Sequence, residues 1–290
     1  MRTYIDCMPC FIRQALEAAR HATDDPEVHE QVVREVLHLA SDMDMNQNPP
    51  AIGQQIHRWV RNLSGDPDPY RRVKEAFNAI ALALYPELRE RVNRADNPLE
   101  TAIRLAIAGN IIDFGVFGSV ETEMLEQTID ECLSADFDLS ALEEFTEAIQ
   151  SAGRILFLAD NAGEIVFDRL LIEQLPLEKV TVAVKGAPII NDATMADAEA
   201  AGLTSMVKVI DNGSDVPGTL LRSCSESFQY VFENADLIIA KGQGNYETLS
   251  EADRPIYFLL KVKCPVIAEH IGCETGRMFF QKTAVMTGEK

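Results

Sequence analysis

Hydrophobic residues along the first half of the chain recur at helical spacing. Between about residues 10 and 150 apolar positions repeat every three or four residues, as at Val73, Phe77 and Leu84. An amphipathic helix with one buried face produces this period, so the segment is predicted to be mainly helical. Helix-breaking residues separate the periodic stretches at Asn48-Pro49-Pro50, Gly65-Asp66-Pro67, Tyr85-Pro86 and Asn97-Pro98.

The pattern changes near residue 152. Short apolar runs appear at 154–159, 179–184, 206–210, 236–240 and 264–268. They alternate with helical stretches and glycine-bearing turns, which predicts a parallel sheet with right-handed helical crossovers. The join carries no Pro/Gly/Ser-rich linker. We therefore expect a helical domain over 1–150 and an α/β domain over 151–290 that pack tightly together, so that the helical part can contribute to a shared site.

Composition and charge narrow the classes of partner. A chain of 290 residues can bury a substantial core in one or two domains, and its 47% hydrophobic and 25% charged residues are ordinary for a globular protein. The formal net charge of −20 argues against nucleic acids and anionic membranes as general partners. A small anionic ligand remains compatible with this charge if its site supplies local positive charge.

The expected location is the cytoplasm. The N-terminus has no apolar segment typical of a secretory signal, and no run approaches 18 consecutive apolar residues. Six cysteines are too few for a disulfide scaffold, so reduced thiols are expected. The oligomeric state is left open by the sequence.

The densest chemical signal is Asp160-Asn161-Ala-Gly-Glu164, directly after the apolar run 154–159. The carboxyl ends of strands in open α/β sheets are where ligands bind. A carboxylate beside an amide oxygen suits a hard divalent cation. The alternative is an ordinary strand-to-helix turn in which Asp160 or Asn161 caps the helix.

Polar residues also follow the next three predicted strands. These are Lys185-Gly-Ala-Pro188 with Asn191-Asp192-Ala-Thr194, Asp211-Asn212-Gly213, and Lys241-Gly242-Gln-Gly244-Asn245-Tyr-Glu247. Four strand ends would converge at one edge of the sheet with several carboxylates, several amides and two lysines. Because buried charges are costly unless paired or metal-bound, this clustering predicts an active site rather than a device for stability.

The segment that begins at Lys241 has more than one interpretation. Gly242-x-Gly244-x-x-Glu247 resembles a dinucleotide fingerprint, but Glu247 replaces the third glycine. Its side chain is bulky and has the same sign of charge as a pyrophosphate. We prefer a lysine with glycine-exposed backbone N–H groups that receive a single phosphate. A plain glycine-rich turn with a solvated lysine is the third interpretation.

The nucleophile is left open by the residues. Phosphatases with an aspartyl nucleophile carry Asp-x-Asp after a strand, whereas Ala162 stands two positions after Asp160. The acid that would assist the leaving group is therefore missing there. Asp160 could still attack, but water activated by a metal is the more economical hypothesis.

Two further motifs have weaker assignments. Cys7-Met-Pro-Cys10 lacks a second pair for a structural zinc site, so we predict no such zinc. The pair is either packed at a helix start, or the N-terminal segment lies over the cleft near the metal, Cys264 or Cys273. Asn110 and Asp113 follow a predicted helix, where they either cap it or reach into the cleft.

Taken together, these motifs resemble the metal-dependent damage-control phosphatase family, ARMT1-like and formerly a domain of unknown function, in its prokaryotic subfamily with an N-terminal CxxC. The resemblance spans nearly the whole chain. It implies an α/β fold with a Rossmann-like three-layer α/β/α domain beside a mainly helical N-terminal domain. It also implies a phosphatase of small phosphorylated metabolites, such as sugar phosphates or damaged phospho-metabolites, supported by Mn²⁺, Co²⁺, Ni²⁺ or Mg²⁺.

The resemblance also assigns residues. It implies that Asp160, Asn161 and Asp192 hold the metal and are catalytic. The candidates for substrate or phosphate binding are Lys241, Gly242, Gly244, Asn245, Glu164, Lys185, Asn110 and Asp113. Two rival classes remain: a nucleotide-dependent oxidoreductase, and a metal- or metabolite-binding regulator without turnover.

Overall fold

The structure is a computed structural model that describes residues 1–109, 122–135 and 138–283. The assignments made to Asn110 and Asp113 therefore lie outside the described residues. Before residue 152 the described chain contains helices joined by loops, and no strands. The helices are α1 (Cys7–Ala22), α2 (Pro26–Asp42), α3 (Pro49–Ser64), α4 (Arg71–Arg94), α5 (Pro98–Ala108), α6 (Thr122–Ser134) and α7 (Leu142–Ser151).

Strands and helices alternate after that point. The elements are β1 (Ile155–Leu158), α8 (Glu164–Ile172), β2 (Val180–Val184), α9 (Met195–Ala200), β3 (Lys208–Asp211), α10 (Glu226–Asn234), β4 (Leu237–Lys241), α11 (Gly242–Leu249), β5 (Ile256–Lys261), α12 (Pro265–Ile271) and β6 (Met278–Lys282). The strand order is β3-β2-β1-β4-β5-β6. All neighbours pair in parallel except β5 and β6, which are antiparallel. The predicted α/β class is confirmed.

Alternate side chains of the sheet enter two different cores. Ile155 and Phe157 of β1 pack with residues of α4, α5, α7 and α8. Leu156 and Leu158 point to the opposite face, where α10, α11 and α12 lie. Because successive residues of a strand face opposite sides, helices on both faces give the three predicted layers.

A third core belongs to the N-terminal helices. Residues of α1, α2 and α3 pack around the first turns of α4, with Ile52, Ile56 and Phe77 among them. The later turns of α4, including Leu88, belong to the core on the sheet face of Ile155 and Phe157, called here the core beneath the sheet. Helix α4 thus joins the helical core to the sheet. The domain boundary at 150 stays a prediction.

One predicted strand is wrong, and two strands of the described sheet, β5 and β6, were missed. Residues 264–268 lie in α12, and the strand that completes the parallel part of the sheet is β5, at Ile256–Lys261. A short apolar run fits a buried strand or a buried helix equally well. Here Pro265 occupies the first helical turn, and Cys264 Sγ accepts from Ile267 N at 3.5 Å as a cap.

The helix break expected at Tyr85-Pro86 is also wrong, because Pro86 lies inside α4. Tyr85 and Leu88 on either side of it are buried in the core beneath the sheet. Packing of these neighbours outweighs the backbone hydrogen bond that proline cannot donate.

Candidate functional site

The ends of β1 and β2 are joined by backbone hydrogen bonds at the predicted site. Ala193 N donates to Asp160 O at 2.7 Å, and Ala162 N donates to Asn191 O at 2.9 Å. Asn161 and Asp192 consequently face each other in an antiparallel bridge. The geometry thus brings together the three residues for which metal binding was predicted, although Asp192 lies 31 positions after Asn161 in sequence. Their role as ligands stays a prediction.

The acids at this junction are held out of solvent. Asp160 is 8% exposed and Asp192 is 4% exposed. Burial raises the pKa of Asp160 well above its ordinary value, and the neighbouring carboxylates of Glu164 and Asp192 raise it further. Burial also raises the pKa of Asp192, against the opposing effect of Lys185, whose Nζ lies 3.3 Å from Asp192 Oδ2.

The buried charges here do not balance. The four acids are Asp160, Glu164, Asp168 and Asp192, and the two bases are Lys185 and Lys241; all six side chains are buried. In their ionised forms they leave a formal excess of two negative charges. A buried excess of this kind is unfavourable in the protein alone and favours a cation.

Asn161 is oriented by the acids around it. Its Nδ2 donates to Asp160 Oδ2 at 2.7 Å and to Glu164 Oε2 at 2.9 Å. Since both amide hydrogens face carboxylates, Oδ1 is the amide atom left to face a cation.

This donor set fits a hard divalent ion. Two carboxylates and one amide oxygen are the ligand types that Mg²⁺ and similar ions accept, with water completing the shell. Across residues 1–109, 122–135 and 138–283, no three His, Cys, Asp or Glu side chains are grouped as a metal site made of those types alone. The candidate set differs from such a group in that its third member is an asparagine.

Lys241 is fully enclosed and saturated with acceptors. It is 0% exposed, and its Nζ donates to Ala106 O at 2.7 Å, Glu164 Oε1 at 2.7 Å and Asp168 Oδ1 at 2.5 Å. Burial lowers the pKa of Lys241, but Asp168 and Glu164 outweigh it and raise the pKa above the ordinary lysine value. All three N–H groups are used, so direct contact with a phosphoryl oxygen would require one bond to be exchanged. The phosphate role stays a prediction.

The glycines of this segment are needed for close packing. Gly242 has φ +77°, and a Cβ added there would lie 1.8 Å from Asp160 Oδ2. A Cβ added at Gly244 would lie 3.0 Å from the backbone nitrogen of Gly218. These contacts explain the Gly-x-Gly pattern without a dinucleotide.

Asn245 and Lys185 make internal bonds. The amide of Asn245 donates to Lys241 O at 2.7 Å and accepts from Thr219 Oγ1 at 2.7 Å. Lys185 Nζ, besides its pairing with Asp192, donates to Gly218 O. The substrate contacts predicted for both residues stay predictions.

Two buried polar residues of the site were missed by the sequence analysis. Asp168 pairs with Lys241 from within the apolar helix α8, where an acid among Ile165, Val166 and Phe167 was the available signal. Asn78 of α4 accepts from Gly163 N at 2.7 Å and donates to Asp197 Oδ1 at 2.8 Å. No sequence signal distinguishes it from a polar residue on the surface of an amphipathic helix.

The cysteine pair begins helix α1, with Cys7 half-buried and Cys10 exposed. Burial raises the pKa of the Cys7 thiol, and Glu247 and Cys264 add to this effect. The N-terminal segment therefore lies within electrostatic reach of Cys264, one of the two late cysteines considered above.

No helix of the described residues is both long and apolar enough to cross a membrane.

Comparison with known proteins gives consistent results along the chain. The profile of the Damage-control phosphatase ARMT1-like domain matches residues 3–279. A damage-control phosphatase of Archaeoglobus fulgidus is 36% identical over 94% of this chain and 96% of its own. A second damage-control phosphatase, from Pyrococcus horikoshii, is 34% identical over 96% of this chain and 97% of its own. An uncharacterised protein of Methanocaldococcus jannaschii is 39% identical over 93% of this chain and 92% of its own.

A solved structure shares the fold. The crystal structure of a DUF89-family protein from Pyrococcus horikoshii superposes with a TM-score of 0.89 at 33% identity. The superposition covers 98% of this chain and 100% of the other.

Proposed function

The chain belongs to the damage-control phosphatase ARMT1-like family, and from this membership we propose that it is a metal-dependent phosphatase of small phosphorylated metabolites. The observation that carries the metal part is the meeting of Asp160, Asn161 and Asp192 inside a buried excess of negative charge. The names of two relatives, both damage-control phosphatases, support the reaction. Sugar phosphates and damaged phospho-metabolites are the proposed substrates.

The proposed ion is Mn²⁺, Co²⁺, Ni²⁺ or Mg²⁺, held by one oxygen each of Asp160, Asn161 and Asp192. When bound, such an ion polarises a phosphoryl group and activates water. The protein supplies the rigid frame. Backbone bonds between the ends of β1 and β2 fix the spacing of the two carboxylates, and the contacts of Asn161 Nδ2 fix the direction of its oxygen.

We place the substrate's phosphate at the start of α11, beside Gly242. The first N–H groups of a helix have no partner within the helix, and Lys241 provides no side-chain cap there. Gly242 also lies directly under the Asp160 carboxylate, so an anion at this helix end would adjoin the proposed ion. Lys241 itself is paired with two acids, so in this proposal the backbone N–H groups make the contact with the phosphate.

The contacts of Glu164 favour a different role from the substrate binding expected of it. Its two carboxylate oxygens accept from Lys241 and from Asn161, so it holds protein groups in place. Whether water or Asp160 attacks phosphorus stays open. Asp160 Oδ2 accepts a hydrogen bond from Asn161 Nδ2 at 2.7 Å, which fixes the direction of the carboxylate.

Phosphate release tests the proposal directly. The purified protein, freed of metal by a chelator, is assayed on a panel of sugar phosphates and other phosphorylated metabolites with each of the four ions. We expect turnover only with added metal, and a loss of at least a hundredfold in the Asp160→Ala variant with an unchanged circular dichroism spectrum.

A matched control is Asp236→Ala, which removes an exposed acid at the opposite end of β4. It should keep wild-type turnover. Full metal-dependent activity in Asp160→Ala would contradict the proposed site. Metal binding without phosphate release from any substrate would favour the regulator, and binding of a nicotinamide or flavin cofactor would favour the oxidoreductase.

A further inference from the structure

Glu164, Asp168 and Lys241 form a buried ion triad behind the proposed metal site. The two acids are one turn apart on α8 and face the same ammonium group at the end of β4, with N···O distances of 2.7 and 2.5 Å. Their side chains are between 0 and 1% exposed. The third N–H of Lys241 is donated to Ala106 O, so the lysine has a single defined position.

The triad is connected to the site through Glu164. While Oε1 of Glu164 accepts from Lys241, Oε2 accepts from Asn161 Nδ2 at 2.9 Å. A continuous line of charged contacts therefore runs from Asp168 through Lys241 and Glu164 to the amide whose oxygen would face the ion. Each member is held by the one before it.

Asp168 is a poor choice for stability alone. Its Oδ2 is buried and accepts no hydrogen bond from the described residues. An ionised acid enclosed with one unsatisfied oxygen is unfavourable, and apolar replacements of buried ion pairs are often as stable or more so. This cost is understandable if the acid fixes another group in the site.

We propose that Asp168 is a positioning residue for the metal site, acting through Lys241 and Glu164 on the orientation of Asn161. The inference rests on the proposed metal-dependent function and concerns a residue outside the predicted ligand set. With Asp168 neutral, Lys241 has one carboxylate partner instead of two and is drawn from its position toward Glu164. Glu164 then holds the Asn161 amide less firmly, and its oxygen faces the ion for a smaller fraction of the time.

The test measures metal affinity without turnover. Free Mn²⁺ is counted by electron paramagnetic resonance during titration of the metal-free protein. Asp168→Asn, which keeps the shape and removes the charge, should raise the Kd for Mn²⁺ by roughly ten- to a hundredfold, as for other groups that orient metal ligands. Glu173→Gln is the matched control, because it removes a largely buried carboxylate 2.8 Å from Arg89 at the opposite end of α8 from the site. It should leave the Kd unchanged.

A double-mutant cycle shows whether Asp168 acts through Asn161. If it does, Asp168→Asn in an Asn161→Ala background should weaken Mn²⁺ binding by less than threefold beyond Asn161→Ala alone. Independent effects would multiply, and that outcome overturns the proposal. So does a wild-type Kd in Asp168→Asn.

A second variant covers a failure of Asp168→Asn to fold. Asp168→Leu removes the carboxylate together with its unsatisfied oxygen and leaves Lys241 paired with Glu164, so no buried charge loses its last partner. It should still weaken Mn²⁺ binding at least tenfold, and wild-type affinity overturns the proposal. A wild-type protein that binds no Mn²⁺ overturns this inference, and it overturns the proposed function as well if none of the four ions supports phosphate release. Normal wild-type binding with an unaffected Asp168→Asn overturns the inference alone.

Discussion

At the scale of single residues, the site is built by side chains that approach the backbone very closely. The carboxylate of Asp160 occupies the space where any other residue at 242 would carry its Cβ. The positive φ of Gly242 adds a second reason for glycine, because side chains disfavour that region. Both reasons are local, so the effect of losing this glycine can be separated from a general loss of stability.

We expect Gly242→Ala to lower kcat/KM by at least a hundredfold, because the methyl group displaces the Asp160 carboxylate. Gly272→Ala is the matched control. It has a similar φ of +81° but nothing within 4 Å of the added Cβ, so it should cost only about 1 kcal/mol of stability and no activity. Phosphate-release kinetics and urea denaturation measure the two effects. Equal kinetics in both variants would show that the Asp160 contact is unimportant.

The sequence indicated which residue types occupy the site, but it did not predict which way their side chains point. The Asp160-Asn161 pair could be recognised because strand ends are predictable and the two residues are adjacent. The position of Lys241 could not, because a lysine after a strand can extend outward to solvent or fold inward, and only the acids of α8 select the inward position. Asp168 itself lies four residues after Glu164, but its partner is 73 residues away.

At the scale of elements, α4 supports the site from outside the strands. Asn78 links the turn that follows β1, through Gly163, to Asp197. Asp197 in turn caps the start of α9 by accepting from Thr194 N and Oγ1, just beyond Asp192. One amide thus connects both segments that carry the proposed metal ligands to the helical part of the chain.

We predict that Asn78→Ala costs about 1–3 kcal/mol of stability, since it leaves a buried N–H and a buried carboxylate oxygen without partners. We also expect kcat/KM to fall by about tenfold or more in fully folded protein, because the two segments lose a shared support. Asn97→Ala, which removes the cap at the start of α5, should cost about 1 kcal/mol with no kinetic effect. Unchanged kinetics in folded Asn78→Ala would limit its role to stability.

Element types were predicted well where the apolar runs had clear boundaries, and poorly near the C-terminus. The strands β1 to β4 follow from their runs and their polar ends. Pro265 could have indicated the start of α12, but the apolar run alone suits either structure. The role of α4 could not be predicted, since its Asn78 looks like an ordinary polar position and its Pro86 resembles a break.

At the scale of the whole molecule, the helical part and the sheet are connected by an ionic cluster centred on Asp215. Arg58 and Arg61 of α3 each contact this carboxylate at 2.6 Å, and Gln54 donates to it at 2.5 Å. Arg61 also donates to Pro188 O at 2.8 Å, in the loop that leads to Asp192. Helix α3 therefore holds two loops at the edge of the site.

This cluster gives a pH-dependent stability. Burial raises the pKa of Asp215, but hydrogen bonds from Arg58 and Gln54 outweigh it, and the pKa falls to about 2. A carboxyl with a lower pKa in the folded state stabilises the protein fully above its unfolded pKa, near 3.9, and this stabilisation is lost as pH falls toward 2. Since Arg58 is half exposed, solvent screening limits the contribution to about 1 kcal/mol.

We therefore predict that Asp215→Asn destabilises the protein by about 1 kcal/mol at pH 6 and by progressively less as pH is lowered from 4 to 3. Urea denaturation at each pH measures the difference. Asp253→Asn is the control, because Asp253 is exposed and no hydrogen bond or ion pair joins it to the described residues. A cost for Asp215→Asn that is constant down to pH 3 would contradict the assigned pKa.

If the proposed ion binds at the junction of β1 and β2, its supply affects how much of the protein stays folded. Asp160 and Asp192 meet only when the two strand ends pair, so an unfolded chain offers no comparable site. Any ion bound there then acts by mass action on folding, adding about 2.7 kcal/mol when its free concentration is a hundred times its Kd. A cell short of that ion would have less active enzyme and also a larger unfolded fraction exposed to proteases. Abundance of the protein would then follow metal availability without any change in its synthesis.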